Sequence, residues 1–318
     1  MSLHLKVLLQ LMLLSLWFGT PFAAEGKLHK VLKAAILTEQ KRSKAGNQSV
    51  TREKPKTKEL KPLVELGIGP AMLNLPDYRG SSSRSFHFLP FPYVIYRGDF
   101  LRAEGNRVRG LFVESKRFEL DISLNASPPS RSDSDNARVG MPDLDPTLEF
   151  GPSIIYKIAN VKEELGEWSL LASLAVRGVI ATDLHEDFGL EGFIFHPSVN
   201  TSYQPRVGPL KGWSFGMVAG PLFATDDYHS YFYEVEVRFA TSSRTAFSTE
   251  GGYSGTRVTW SLSKTFSRFW LGAFARLDLL QGAAFEDSPL VEEKHSFMAG
   301  MSVAWIFFRS EKKVEARP

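Results

Sequence analysis

The sequence of 318 residues contains no cysteine. A lipoprotein anchor and structural disulfides are both excluded, because each of them needs a cysteine side chain. Beyond the N-terminal segment no stretch approaches the roughly 18 consecutive apolar residues of a transmembrane helix, so we expect none in the mature chain. An exported chain without such helices is left with two architectures, a soluble secreted fold or a closed β-barrel.

The N-terminus predicts export. Lys6 is followed by an uncharged apolar run, Val7 to Phe18, which is too short to cross a bilayer but typical of a secretory signal. Small residues follow, and we place the cleavage site after Ala23 or Ala24, so that residues 1–24 form the signal peptide. The alternative is an N-terminal anchor that is not cleaved.

The basic residues are concentrated in residues 25–61, which contain 11 Lys or Arg and 4 Asp or Glu, whereas the whole chain has a net charge of only +3. Apolar residues at helical spacing between Leu28 and Ile36 predict a short amphipathic helix, and residues 41–61 are polar enough to be disordered. We interpret residues 25–61 as a basic periplasmic arm. No aromatic residue interleaves its basic positions, so we predict no nucleic-acid partner.

Long segments with a period of two dominate the rest of the chain. In Ser296–Phe308 the alternate residues Phe297, Met301 and Trp305 are bulky and apolar, and the residues between them are mostly small. Comparable runs occupy residues 117–125, 168–178, 231–239, 258–266 and 269–279. Runs of 9 to 13 residues exceed the usual soluble strand of about 5–6 and match the roughly 9–11 of a tilted membrane strand.

We therefore predict an all-β fold, a transmembrane antiparallel β-barrel of about 12 strands (10–14) at residues 62–308, followed by a charged tail at 309–318. The predicted strands are 63–73, 86–96, 99–113, 117–125, 147–158, 167–179, 191–203, 212–223, 229–240, 253–266, 268–280 and 295–308. Glu104-Gly105-Asn106 could form a turn inside the third of these. This strand order conflicts with the usual architecture of such barrels at one point. If strand direction alternates strictly, the long segment Ser127–Pro146 lies on the periplasmic side, where turns are usually short.

Charged residues fall among the predicted inward positions of these strands. They are candidate lumen charges, namely Glu119, Asp121, Glu234, Glu236, Arg238, Arg276 and Asp278. Charges inside a barrel must pair with each other or meet water. Two interpretations stay open, a salt-bridged plug that stiffens a narrow barrel and a water-filled pore that prefers cations.

No combination of residues points to catalysis or to a metal. A hydrolase needs a serine, a histidine and a group that orients the histidine. Ser85 with His87 and Ser198 with His196 lack an obvious third group. Asp133-Ser134-Asp135 begins like a calcium loop, but the third ligand and the glycine are missing after it. We predict no enzymatic activity, no cofactor and no metal.

Several short motifs, taken in order, resemble the MipA/OmpV family of outer-membrane proteins over residues 62–308. They are Gly67-Ile68-Gly69-Pro70, Pro76-Asp77-Tyr78-Arg79-Gly80-Ser81, Gly140-Met141-Pro142-Asp143-Leu144, Glu149-Phe150-Gly151-Pro152, Tyr231-Phe232-Tyr233-Glu234-Val235 and Asp287-Ser288-Pro289-Leu290-Val291. The signature loop positions are Asp77, Tyr78, Gly80, Asp287, Ser288 and Pro289. The sequence departs from the family pattern at Glu234, where a glycine is usual, and in the charged tail after Phe308.

The resemblance implies a barrel in the outer membrane of a Gram-negative cell envelope, in contact with outer-membrane lipid. It also implies a scaffold role in peptidoglycan (murein) remodelling, with murein hydrolase or synthase proteins in the periplasm as partners. The alternatives are a narrow channel for small solutes, a surface adhesin and, on the precedent of other barrels, a lipid-modifying enzyme.

Overall fold

The computed structural model describes residues 60–98, 101–104, 107–110, 113–115, 117–132, 137–182 and 188–315. The predicted signal peptide and nearly all of the basic arm lie outside the described residues. No helix among the described residues is long and apolar enough to cross a membrane.

The described residues form fifteen strands, and most of them are long. Their bounds are β1 (Leu60–Pro62), β2 (Val64–Pro76), β3 (Arg84–Arg97), β4 (Leu101–Glu104), β5 (Arg107–Gly110), β6 (Val113–Glu114), β7 (Phe118–Ser127), β8 (Thr147–Lys162), β9 (Gly166–Thr182), β10 (Phe188–Pro205), β11 (Trp213–Ala224), β12 (Gly252–Thr265), β13 (Phe269–Leu279), β14 (His295–Arg309) and β15 (Lys313–Glu315). Within the described chain, ten strands have ten or more residues.

Thirteen of these strands make one antiparallel sheet in the order β5-β4-β3-β2-β14-β13-β12-β11-β10-β9-β8-β7-β6. The first and last long strands, β2 and β14, are hydrogen-bonded neighbours, as in a barrel. The all-β prediction is confirmed, and the ten long strands form a curled sheet. Closure into a barrel of twelve strands stays a prediction.

The two faces of the curled sheet differ in chemistry. On β14 the side chains of Phe297, Met301 and Trp305 are exposed, and those of Ser302 and Ala304 are buried. Each of the other long strands also exposes at least one large apolar side chain, and on β3 Phe86 and Phe88 are exposed with the less exposed His87 between them. A sheet with exposed apolar residues on one whole face is suited to contact hydrocarbon, because such a face would be unfavourable in water.

The strand predicted at residues 229–240 is wrong. Asp226–Tyr233 forms a helix, α1, and Val237–Phe239 forms a short 3-10 helix. Helical spacing buries Tyr228 with Phe232 and His229 with Tyr233, and two acidic residues in the first turn suit the positive end of the helix dipole. The alternation of this segment is real in the sequence, but its aromatic residues also fit a helical repeat, and the helix buries Tyr228, Phe232 and Tyr233.

The segment predicted as a single strand at 99–113 is also divided. β4 and β5 pair as a hairpin around the possible turn, with Glu104 opposite Arg107. The hairpin adds one reversal of chain direction, and the loss of the strand predicted at 229–240 removes one. All the long described connections, 77–83, 128–146, 225–251 and 280–294, therefore emerge at one end of the sheet, here called the loop end. The segment Ser127–Pro146 now lies with the other long loops, which removes the conflict over its side.

The opposite end, here called the turn end, carries the short connections 163–165, 206–212 and 266–268. β2 begins and β14 ends there, and the Arg309 guanidinium lies 2.9 Å from the Glu65 carboxylate. Part of the C-terminal tail forms β15, which pairs with β1 in a separate two-stranded sheet.

Gly300 on β14 lies under two large side chains, because its cross-strand neighbours are Phe274 and Leu73. A Cβ at this position would overlap both side chains. Gly300→Ala is expected to lower the free energy of unfolding by about 1–3 kcal/mol, measured by urea titration in detergent micelles. Gly178→Ala is the control, since a Cβ there would meet nothing closer than 3.6 Å. Equal midpoints for the two variants would contradict the packing argument.

Candidate functional site: the cap and the charges beneath it

The long connections at the loop end fold together into a cap, defined here as the described residues of 77–83, 128–146, 225–251 and 280–294. An apolar core holds the cap together and includes the ends of several strands. Its buried members are Tyr78, Leu144, Val179, Ile194, Leu222, Ala224, Tyr228, Phe232, Tyr233, Val235, Leu280, Ala283, Phe285 and Leu290. The cap is therefore a packed unit with its own core.

Helix α1 is fixed in the cap by its last residue. The Tyr233 ring stacks on Phe285 with ring centroids 3.7 Å apart and planes at 2°. The Tyr233 hydroxyl donates to the Arg79 carbonyl at 3.0 Å, and the backbone carbonyl of Tyr233 accepts from the Ser288 hydroxyl at 2.7 Å. Burial raises the pKa of the Tyr233 hydroxyl, so it stays a neutral donor.

The two signature loops meet in this cap. The Tyr78 hydroxyl donates to the Leu290 carbonyl at 2.9 Å. The Gly80 carbonyl accepts from the amides of Glu292 and Glu293 at 2.8 and 2.9 Å, and Gly80 itself has a φ of +94°, which favours glycine. Residues separated by more than two hundred positions thus form one hydrogen-bonded junction.

The other signature positions take different places in the same junction. The Asp77 carboxylate accepts from the Ser85 hydroxyl at 3.0 Å. Ser288 is buried, Pro289 is half-buried and Asp287 is exposed. Asp287 is the one signature residue whose side chain lies on the outside of the cap among those the structure describes.

Two buried arginines join the segment around Gly140 to the rest of the cap. Arg138 donates to the Phe232 carbonyl at 3.0 Å. Arg244 donates to the carbonyls of Ala137 and Val139 at 2.7 and 2.9 Å. Backbone carbonyls therefore accept hydrogen bonds from both guanidiniums. The signature segments come from four separate parts of the sequence, and all four contribute to the cap.

A network of charges is buried beneath the cap. Arg177 is 0% exposed and its Nε lies 2.8 Å from the Glu149 carboxylate. Asp278, also 0% exposed, lies near three guanidiniums at 3.1, 3.7 and 3.9 Å. Those guanidiniums belong to Arg79, Arg257 and Arg276.

The candidate lumen charges divide into two groups in the structure. Arg276 and Asp278 belong to the buried network, and Glu119 and Asp121 are buried on β7, where Glu119 pairs with Lys157 at 3.3 Å. The other three do not lie on a strand. Glu234 follows α1, and the exposed side chains of Glu236 and Arg238 pair with each other at 2.7 Å.

Sequence reasoning missed four members of the buried network. They are Arg79, Glu149, Arg177 and Arg257. Arg177 and Glu149 lie at inward-facing positions of their strands. The alternation of residues along these strands was the feature of the sequence that could have identified them. Arg79 comes from a loop, so only the contacts of the folded chain bring it to Asp278.

A cavity of about 70 Å³ lies between the cap and this network. Arg257 and Arg276 line it from the strands, Arg79 and Tyr228 from the cap, and Asn125 from the end of β7. Its lining combines these charged and polar side chains with the aromatic rings of Tyr78, Phe232 and Tyr233.

The serine and histidine pairs considered from the sequence are not assembled. The Ser85 hydroxyl donates to Asp77, and the Ser198 hydroxyl is hydrogen-bonded to Ser173 at 2.9 Å. His196 is buried, and neither of its ring nitrogens has a hydrogen-bond partner. Among the described residues no group of three His, Asp or Glu is placed to hold a metal ion.

His229 on α1 is a titratable group buried within the cap. Its Nδ1 donates to the Glu250 carbonyl at 2.6 Å, its Nε2 has no hydrogen-bond partner, and its ring packs edge-on against Phe285. Burial lowers the pKa of His229 from 6.5 to about 4; the hydrogen bond to Glu250 opposes this shift, and the nearby Arg79 adds to it. His229 is therefore neutral at pH 7.

Acidification is expected to destabilise the cap through His229. The folded state has the lower pKa, so the unfolded state binds the proton more tightly, and stability is lost as the pH falls from 6.5 to about 4. The loss approaches about 3 kcal/mol. His229→Gln should flatten the dependence of the urea midpoint on pH in this window, whereas His295→Gln, at an exposed histidine, should leave it unchanged. A slope that survives His229→Gln would contradict this assignment.

The chain is similar to one protein family and, more distantly, to several solved structures. The family model described as MltA-interacting protein MipA matches residues 66–307. No curated protein matches the sequence. One similar solved structure is a bacterial polysaccharide outer membrane secretin, with 10% identity, 79% of this chain and 100% of that chain covered, and a TM-score of 0.34.

Another similar structure is the toluene transporter TbuX of Ralstonia pickettii, with 10% identity, 82% of this chain and 74% of that chain covered, and a TM-score of 0.20. Likenesses this distant carry no argument about activity. The family match spans most of the chain and covers at least part of every strand of the main sheet. The chain belongs to the MltA-interacting protein MipA family.

Proposed function

We propose that this protein is a non-enzymatic scaffold of the outer membrane that holds murein-remodelling proteins on its periplasmic side. The observation that carries the proposal is the packed cap. Its core of aromatic and aliphatic side chains covers the loop end, and the charges beneath it are paired. An interior filled in this way favours a protein that acts through its surfaces over one that passes solutes.

The partner class comes from the family. The family's description names an interaction with MltA, and a murein hydrolase or synthase is the corresponding partner for this chain. The turn end faces the periplasm if the long loops face outward, as is usual for outer-membrane barrels. The basic segment 25–61 precedes β2 in the sequence, and β2 begins at that end, so we propose that the segment reaches proteins between the membrane and the murein.

Capture of envelope proteins tests the scaffold role. Tagged full-length protein in detergent is expected to retain a murein hydrolase or synthase from solubilised envelopes, and deletion of residues 25–59 is expected to abolish retention. A variant with every Lys and Arg of that segment changed to Gln separates charge from length. Capture that is unchanged by the deletion would exclude the arm, and capture of neither enzyme class would contradict the scaffold.

A narrow channel is the second candidate, favoured by the charged cavity beneath the cap. Planar bilayer recordings separate the two functions. The scaffold proposal expects no steady conductance from the wild-type protein. Reproducible single-channel steps that depend on ion type would favour the channel and contradict a closed interior.

A further inference from the structure

We propose that the outer face of the sheet at the turn end binds the headgroup of an anionic phospholipid. The site is a basic rim, defined as Lys211, Lys264 and Arg268, beside exposed aromatic side chains. The inference rests on the membrane location that is part of the proposed function, and it adds the class of lipid that the protein would hold there. It does not depend on the capture of murein enzymes.

The first observation is a cation on the apolar face of the sheet. Lys264 lies four residues after the exposed Trp260 on β12, in the same alternating phase. Its cross-strand partners are Trp213 on β11 and Leu271 on β13. A lysine on such a face is costly at the centre of a bilayer and costs little near the interface, where its amine reaches the headgroups. Lys264 therefore marks the level of the headgroups at the turn end.

Aromatic rings surround the amine of Lys264. Its Nζ lies 5.4 Å from the ring centroid of Trp213 and 5.3 Å from that of Phe266. Such contacts orient a cation without neutralising its charge. Phe266 and Phe269 are both exposed beside it. A phospholipid supplies an anion for the amine and acyl chains for the rings, whereas an acidic protein surface would leave the rings unmatched.

The second observation is that the basic rim lacks carboxylate partners. Among the residues that the structure describes, none of its three side chains takes part in an ion pair. The connections 206–212 and 266–268, which carry Lys211 and Arg268, contain no Asp or Glu. The connection 163–165 at the same end contains two glutamates. Positive charge is thus concentrated beside β11, β12 and β13, where it would attract an anionic headgroup.

The third observation is that hydrogen bonds fix the backbone of both basic connections. The carbonyl of Arg268 accepts from the amide of Ile306 on β14 at 2.8 Å. The amide of Lys211 donates to the carbonyl of Gly208 at 3.2 Å within its own turn. Side chains carried by an ordered backbone lose less entropy when they bind a ligand. The rim is therefore arranged before a lipid arrives.

Tryptophan fluorescence measures which lipid lies beside the rim. The full-length protein is refolded into phosphatidylcholine vesicles that contain increasing fractions of phosphatidylglycerol with brominated acyl chains, because bromine quenches nearby indoles. Subtraction of the Trp213→Phe variant isolates the quenching of Trp213. Vesicles in which phosphatidylcholine carries the bromine provide the reference. We expect phosphatidylglycerol to bind beside Trp213 about tenfold or more tightly than phosphatidylcholine, since each basic residue near the surface contributes about fivefold.

Neutral substitutions test the assignment to the rim. Lys264→Gln is expected to lower the preference for phosphatidylglycerol about fivefold, and the triple variant with every residue of the rim changed to Gln should bind both lipids equally. Arg206→Gln is the matched control, because Arg206 lies in the same connection as Lys211 but pairs with Glu167 at 3.1 Å. If Lys264→Gln does not refold, Arg268→Gln at an exposed turn position takes its place.

Three results would overturn the lipid site. One is equal binding of the two lipids beside Trp213 in the wild-type protein. Another is a preference that Lys264→Gln and Arg206→Gln lower to the same extent, which indicates general surface charge. The third is loss of the preference when inorganic phosphate is added at constant ionic strength, which assigns the rim to a free ion. Absence of quenching by either brominated lipid would instead contradict the membrane location, and the lipid site with it.

Discussion

Tyr233→Ala is expected to unfold the cap while leaving the sheet in place. The substitution removes the stacking on Phe285, the hydrogen bond to the Arg79 carbonyl and a side chain that is only 1% exposed. Loss of a buried aromatic side chain costs about 3–5 kcal/mol. The cap has one apolar core, so this loss falls on the whole unit, whereas the strands keep their own hydrogen bonds.

Two measurements separate the cap from the sheet. Limited trypsin digestion should cleave the Tyr233→Ala variant within residues 225–251 at a rate at least equal to that of an unfolded loop. On a gel, the variant should keep the mobility of the folded barrel, which changes on heating. Planar bilayers should show conductance for Tyr233→Ala and none for the wild type. Val237→Ala is the control, because Val237 is 82% exposed beside the same helix. A variant that remains protease-resistant and closed would show that α1 does not hold the cap.

The strands were the predictable part of this fold. A strand of the curled sheet is defined by its own residues, since lipid on one side and the interior on the other impose a period of two. Phe297 and Trp305 on β14 show this in the sequence and are exposed in the structure. The length of each run added the second signal, because tilted membrane strands are longer than soluble ones.

The cap could not be derived in the same way. Its core depends on contacts such as Tyr78 with Leu290, 212 positions apart, and no local periodicity encodes them. The helix at Asp226–Tyr233 shows the limit most clearly. Its aromatic residues satisfy a period of two and a helical repeat at once, and only the cap core, which packs α1 against Phe285, selects the helix.

The buried charges lie between these two cases. Arg276 and Asp278 lie two residues apart on β13 and therefore share one face, so the sequence indicated that both point inward. Their partners could not be assigned, because Arg79 reaches Asp278 from a loop and Arg257 reaches it from the neighbouring strand. The sequence indicates which charges are buried on a regular strand, and only the three-dimensional structure shows how they are paired.

The Arg177–Glu149 pair gives the second large effect. Glu149→Leu leaves the guanidinium of Arg177, which is 0% exposed, without its carboxylate, and removal of one partner of a buried pair costs about 3–5 kcal/mol. Arg177→Met leaves the buried Glu149 carboxylate unpaired and should cost a similar amount. Both charges are absent from the double variant, which should recover most of the lost stability because no ion is then left unpaired.

Urea unfolding in detergent measures this cycle, with the exposed pair Glu236–Arg238 as the matched control. Glu236→Gln should leave the midpoint unchanged, since exposed ion pairs contribute little. The decisive quantity is the coupling between the two buried positions. Strong positive coupling identifies the pair as a unit that is stable only when both charges are present or both are absent. Additive losses in the double variant would instead mean that each side chain contributes through packing alone, and the interior would then not be organised by its charges.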